Sequence, residues 1–393
     1  MVHEYCISIG GNLMTETAPN RIECLDGLRG IAALWVLIGH AHLLTRFRVP
    51  LIGDPDLGVD LFIVLSGFLM VFHYRLREAK EPWELPSTWR TFWLRRFFRI
   101  APLYYIMLIF AMALGPAIYE ARVMIDAYNS VPVQPAGRYL DQSFWNWVAH
   151  LTFAFGALPQ YAYRTALPDW SIGLEMQFYL VLPFVMLAIK RLNLFVGMGA
   201  VVFAGLAAAV ISYALGYRFP MPAFLPLKMH VFAVGILMAS VLGADAKRVW
   251  LAAALSAALM LIPIGGAMGT IHHGARLAIV GVFFLLLHHR VVWQPLRPLL
   301  SKISSLLGNR FFHLLGELSF GAYLAHLLVM QPVIAYLIAN HPMSNPARWA
   351  TALAITVPVT YLIAAIGYRW IEIPGQALGK ALTRKRALAA AVV

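Results

Sequence analysis

Two side chains in the segment Asp26-Gly-Leu-Arg29-Gly-Ile-Ala-Ala-Leu-Trp-Val-Leu-Ile-Gly-His40 are out of place in so apolar a run. Arg29 and His40 stand eleven positions apart. In an α-helix that is three turns plus about 20°, so both project from one face, roughly 16 Å apart along the axis. A cation then sits near one membrane surface and an imidazole lies well inside. Ionisable groups at such depth are costly and mark functional sites by default. A neutral imidazole can take a proton from an attacking hydroxyl, because the reference pKa of about 6.5 leaves much of it uncharged at neutral pH. The competing account is a histidine satisfied by a neighbouring helix.

Other polar residues recur at helical spacing. In Arg95-Arg96-Phe-Phe-Arg99-Ile-Ala-Pro102-Leu-Tyr104, Arg96 and Arg99 are i, i+3 and share a face. Two forked guanidiniums suit phosphate oxygens; an anchor to lipid headgroups is the alternative. In Trp170-Ser171-Ile-Gly-Leu-Glu175, Ser171 and Glu175 are i, i+4. Glu175 needs a partner inside an apolar span, and His40 and Arg29 are the candidates. With His40, it would fix the imidazole tautomer as triad carboxylates do. Ser319, Tyr323 and His326 form a polar stripe at i, i+4, i+7, with His326 more readily a packed histidine than a base. Asp60 sits at the outer end of its span, and Ser66-Gly67 lies near the middle, where small residues allow close approach. Ser66 and Ser171 are possible relays.

These residues need a membrane scaffold. Hydrophobic residues make up 61% of the 393-residue chain and charged residues 12%, half the soluble average of roughly 25%. Apolar stretches near twenty residues recur from end to end, so the expected class is all-α and polytopic. Ten spans are expected, near 28–47, 58–76, 97–118, 169–190, 194–214, 226–243, 249–264, 276–290, 312–338 and 348–370. Segment 145–158 is too short to cross and reads as re-entrant or interfacial. With that segment not spanning, 22 of the 31 Lys and Arg fall on one side and 9 on the other. If it spans, the split becomes 14 to 17. The positive-inside rule favours the first arrangement, with both termini cytoplasmic, 119–168 as the long outer loop, and the inner membrane as location.

The net charge of +13 does not indicate a nucleic-acid partner, because the basic residues are topology signals in short loops. Cys6 and Cys24 give neither a disulfide framework nor zinc spacing. His272-His273 and His288-His289 are adjacent pairs whose members do not share a helix face, so no metal site is expected. Residues 1–20 lack the pattern of a cleavable signal. No appended soluble domain is expected. The expected organisation is an N-terminal extension over 1–20, a membrane domain over 21–375 and a basic cytoplasmic tail over 376–393.

Taken in order, these motifs resemble the bacterial membrane acyltransferase family, type three, whose members acylate exopolysaccharide, lipopolysaccharide, Nod-factor and antibiotic sugars. The resemblance covers about 21–375. It rests on Leu25-Asp-Gly-Leu-Arg29 with His40, Gly58-Val-Asp60-Leu-Phe with Ser66-Gly67-Phe68, and Arg95-Arg96-x-x-Arg99-Ile-x-Pro102-x-Tyr104. It rests further on Trp170-Ser171-x-x-x-Glu175-x-x-Phe178-Tyr179, Ser319-x-x-x-Tyr323-x-x-His326 and Glu372-x-Pro374. The resemblance implies transfer of an acyl group, acetyl foremost, from cytoplasmic acyl-coenzyme A to a hydroxyl of an extracytoplasmic or lipid-linked carbohydrate. His40 takes the family's catalytic position, Arg29 its paired arginine, and Arg96 and Arg99 the pair that holds the coenzyme. Tyr104 is grouped with them. No tightly bound cofactor is implied; acyl-coenzyme A is a substrate, and membrane lipid the surroundings. Some members carry a further span and an esterase-like domain with no counterpart here. A transporter or flippase for a lipid-linked or anionic solute is the alternative class, since buried charge and proline-bearing spans (Pro102, Pro183, Pro332, Pro358) suit it too. A membrane protein without chemistry is the third.

Overall fold

The computed structural model describes residues 22, 24–47, 49–266 and 269–390. The extension over 1–20, with Cys6, lies outside the described residues. The described chain is helical, and no strand occurs among the described residues. In chain order the helices are α1 (Cys24–Thr45), α2 (Pro55–Arg75), α3 (Pro86–Tyr128), α4 (Gly137–Leu140), α5 (Phe144–Leu151), α6 (Trp170–Leu192), α7 (Leu194–Ala214) and α8 (Met229–Ser240). Then follow α9 (Ala246–Met260), α10 (Thr270–Leu287), α11 (Arg297–Leu307), α12 (Arg310–Glu317), α13 (Ser319–Asn340), α14 (Asn345–Gly367) and α15 (Ile373–Ala390). One π-helical turn, Tyr368–Glu372, joins α14 to α15.

Among the described residues, eight helices are long and apolar enough to cross a bilayer, not the expected ten. The shortfall lies in α8 and α9, of 12 and 15 residues. At 1.5 Å per residue they reach about 18 and 22 Å, short of a hydrocarbon core of about 30 Å. For α8, composition exaggerated the length because Leu227, inside the expected span, folds into a 3-10 turn instead. Helix α8 is buried on every side from Met229 to Ala239, so its apolarity serves protein packing more than lipid. The expected span 312–338 is also broken. Helix α12 ends at Glu317, and the Ser319 hydroxyl donates to the Gly316 carbonyl (2.7 Å) as α13 begins. Segment 145–158 forms the eight-residue α5 and a short 3-10 turn, and neither crosses.

Helix α3 runs 43 residues, about 64 Å, and so projects beyond any bilayer. The helices continue through Pro102, Pro183, Pro332 and Pro358 without a break. Residues 376–384, expected as a separate tail, continue α15 along α3, where Gly379 meets Phe98.

One close approach positions the site. A Cβ on Gly67 would stand 2.4 Å from the Phe232 carbonyl oxygen, and one on Gly235 would stand 2.0 Å from that of Val64. Only glycine lets the backbones of α2 and α8 approach so closely. Gly67 therefore faces α8, and its neighbour Ser66 is turned toward a cavity.

Candidate active site

A cavity of about 300 Å³ opens among α1, α2, α3, α6, α12 and the π-helical turn. Its cationic lining is Arg29, Arg96 and Arg99, with His73 beside them; Asp26, Glu175 and Glu317 supply carboxylates. A smaller space of about 60 Å³ adjoins it and shares Arg29, Ser66, Glu175 and Phe320 as walls. Beyond those shared walls the lining turns apolar, with Val59, Phe62, Ile63, Ile172 and Phe232, and ends on Ser171, Ser319 and Tyr323. A charged space thus adjoins a smaller, mostly apolar one.

The i, i+3 argument for the arginines fits this geometry. Arg96 and Arg99 both line the cavity, while Arg95 turns away to Glu81 (2.7 Å). Arg96 lies over the rings of Phe92 and Tyr179, each 5.8 Å from its guanidinium carbon. Its buried Nε has no hydrogen-bond partner among the described residues. Arg99 is 3.9 Å from a carboxylate oxygen of Glu372, a contact too long for a tight pair. The cations are therefore available to an anion in the cavity.

Glu175 is placed differently from either expectation for His40. Its Oε1 accepts from the Ser66 hydroxyl (2.9 Å) and from the Tyr179 hydroxyl. It lines both spaces together with Arg29. The imidazole of His40 instead meets His326. His40 Nδ1 lies 2.9 Å from the Val36 carbonyl oxygen and 3.2 Å from His326 Nε2. The Glu175–His40 pairing is thus corrected. Arg29 and His40 hold different levels of α1, and Glu175 sits at the level of Arg29.

Tyr104 is corrected as well. It is fully buried, and its hydroxyl donates to Asp169 (3.1 Å), which also accepts from Thr165 (2.9 Å). This leaves the hydroxyl no part in holding a coenzyme. Trp170 packs in the apolar core at the start of α6. Ser171 donates to the Tyr323 hydroxyl (2.7 Å), which donates to the Pro168 carbonyl (2.7 Å) and so pins α13 to the start of α6. Of the polar stripe on α13, Ser319 and Tyr323 line the small space, and His326 lies one turn further, against His40.

Asp60 belongs to a separate cluster. Its carboxylate accepts from Lys228 (2.5 Å) and Arg276 (2.7 Å), and all three side chains are buried. His272 stands 4.0 Å away and bonds Asp54 (2.6 Å). Sequence reasoning singled out neither Lys228 nor Arg276. Their position against apolar helices was the available signal, since a cation there needs a named partner. It also missed His73, whose apolar neighbours hid its place on the cavity wall.

This fold and site define a helical membrane protein with a charged internal cavity. The chain belongs to the acyltransferase domain family, whose model matches residues 22–365. It is 23% identical over 378 residues to the peptidoglycan O-acetyltransferase OatA of Listeria monocytogenes, a match that covers 92% of this chain and 56% of the relative. It is 25% identical over 376 residues to the acyltransferase MdmB of Streptomyces mycarofaciens, covering 88% of each. It is 31% identical over 192 residues to the regulator of hypoxia-inducible factor 1 of Caenorhabditis elegans, covering 44% of this chain and 35% of that one. The chain thus spans about half the length of the Listeria relative and about a third of the worm protein. No solved structure matches it.

Proposed function

We propose that the chain moves an acyl group, acetyl foremost, from cytoplasmic acyl-coenzyme A to a hydroxyl of an extracytoplasmic or lipid-linked carbohydrate. The observation that carries this reading is the cavity with three arginines at its wide part and an apolar end at its narrow part. Arg96 and Arg99 hold the phosphates of the coenzyme, because forked cations left without tight carboxylate partners match that chemistry. The pantetheine arm passes between Arg29 and Phe320 and brings the thioester past Tyr323 toward His40. The carbohydrate acceptor reaches the thioester from the other side of the bundle.

His40 acts as the general base. It lines neither space; its ring meets that of His326, which meets Tyr323 at the small space. The acceptor hydroxyl gives its proton to the imidazole as its oxygen forms the new bond to the acyl carbon. The carbon–sulfur bond breaks, and the leaving thiolate takes the proton back. Arg29 and Glu175 flank the arm and set the charge along its path.

In this reading the Arg96 end faces the cytoplasm and the chain resides in the inner membrane. The division of Lys and Arg supports that orientation: with α8 and α9 not crossing, Lys247 and Arg248 change sides and the split is still uneven, 20 to 11. A reporter fused at the C-terminus should report cytoplasm, and a periplasmic signal would reverse the topology.

The decisive experiment supplies acetyl-coenzyme A to the purified protein and measures free thiol, with and without cell-surface glycan fragments. Release that requires His40 supports the transferase. Mass spectrometry of surface glycans from wild-type and deletion cells then identifies the acceptor; unchanged glycan acylation would reject the carbohydrate reading.

A further inference from the structure

The two imidazoles that meet between α1 and α13 fix each other's hydrogens. His40 Nδ1 lies 2.9 Å from the Val36 carbonyl oxygen. A carbonyl only accepts, so this nitrogen carries a hydrogen. His326 Nδ1 lies 2.7 Å from the Tyr323 carbonyl oxygen and carries a hydrogen for the same reason. A neutral His326 then has its lone pair on Nε2, and Nε2 stands 3.2 Å from His40 Nδ1. The hydrogen on His40 Nδ1 is therefore shared by two acceptors. A proton on His326 Nε2 would aim one N–H at another, so the contact accommodates a single hydrogen.

The remaining nitrogen of His40, Nε2, is left with a lone pair. That is the state a general base requires, and it follows from the neighbours of Nδ1 alone. The surroundings hold the arrangement. His326 is 1% exposed, so water does not compete for its Nε2. The rings sit 4.9 Å apart at 50°. Helix α13 is pinned one turn earlier, where the Tyr323 hydroxyl bonds Pro168 and Ser171.

We infer that His326 is the positioning residue of the base: it holds His40 in the Nδ1–H tautomer and supports the imidazolium that forms when His40 Nε2 takes the acceptor's proton. The inference rests on the proposed role of His40. A second imidazole does here what a carboxylate does in hydrolase triads. The reason lies in the surroundings. A neutral ring is far cheaper to bury in an apolar helix bundle than a carboxylate without a cation beside it. Glu175 is kept one level away, where Arg29 and a cavity share its charge. The proton balance is closed: the hydroxyl proton moves to His40 Nε2 and then to the departing thiolate, while the Nδ1 hydrogen stays between Val36 O and His326 Nε2.

The test uses the full-length protein, acetyl-coenzyme A and thiol release, with His40→Ala, His326→Ala and His326→Gln compared. His326→Ala should lower kcat about a hundredfold, the lower end of what a general base contributes, with KM for the donor within about twofold. His326→Gln, whose amide oxygen can accept from His40 Nδ1, should recover about tenfold of that loss. Nitrogen-15 NMR of wild-type protein should show His40 protonated at Nδ1 and bare at Nε2, and His326→Ala should mix the tautomers. Wild-type kcat in His326→Ala while His40→Ala is inactive would overturn this inference and leave the base in place. Full activity in His40→Ala would instead overturn the proposed base. Should His326→Ala fail to fold, the NMR of wild-type protein still decides, because a hydrogen on His40 Nε2 refutes the arrangement.

Discussion

Helix α2 carries two polar centres about 9 Å apart, at Asp60 and Ser66, and they obey opposite rules. Around Asp60 both cations close onto one carboxylate, at 2.5 and 2.7 Å, and all three side chains are sealed from solvent. Around Ser66 the charges surround a cavity, and the carboxylates are occupied elsewhere. Glu175 takes hydroxyls from Ser66 and Tyr179, Glu317 takes that of Tyr368 (3.0 Å), and Glu372 stays 3.9 Å from Arg99. The first centre pairs its charges internally and ties α2 to α8 and α10. The second leaves Arg96 and Arg99 without a tight carboxylate partner. Buried charge alone does not distinguish structure from function; what counts is whether the charge is already paired.

Asp60→Asn breaks this comparison on its closed side and should have the largest effect. Removing one partner leaves Lys228 and Arg276 buried without compensation, which costs about 3–5 kcal/mol. Thermal unfolding in detergent should drop steeply and membrane yield with it. A variant that folds normally but loses donor affinity would place Asp60 in the functional centre instead.

Arg96→Ala and Arg99→Ala probe the open side. Each should raise the donor KM tenfold to a hundredfold, the equivalent of about 1.5–3 kcal/mol of charge-assisted hydrogen bonding. Stability should hardly change, because neither arginine completes a tight buried pair. An unchanged donor KM in folded protein would return both to the role of membrane anchors.

Ser66→Ala sharpens the division within the open centre. Glu175 keeps its bond from Tyr179 and faces the cavity, so less than a tenfold loss in kcat/KM is expected. A loss beyond a thousandfold, with an acylated Ser66 in the mass spectrum of wild-type protein, would mean that transfer passes through a covalent intermediate.

Arg95→Ala should do least. Its pair with Glu81 is about 30% exposed on both sides and is worth no more than about 1 kcal/mol. Donor KM should be unchanged, which makes it the control for its neighbour Arg96. A shift as large as that of Arg96→Ala would show that the cavity does not discriminate between the two.

The sequence by itself determined which side chains share a face. Helical periodicity is a local property, so it separated Arg95 from the Arg96–Arg99 pair and aligned Ser319, Tyr323 and His326 before any packing was known. Apolar length announced the membrane helices, and it failed at α8, whose apolar residues face protein, and at α9, which is too short to cross. Which faces meet was decided only by the tertiary structure. Periodicity offered Glu175 either Arg29 or His40, and the fold set it beside Ser66 at the level of Arg29. His40 and His326 are 286 residues apart in sequence and 3.2 Å apart in space. No local rule connects them, because helix contacts depend on where small residues let backbones approach and on how many helices intervene. The partner of the candidate base, and so its tautomer, belongs to the packing of α1 on α13.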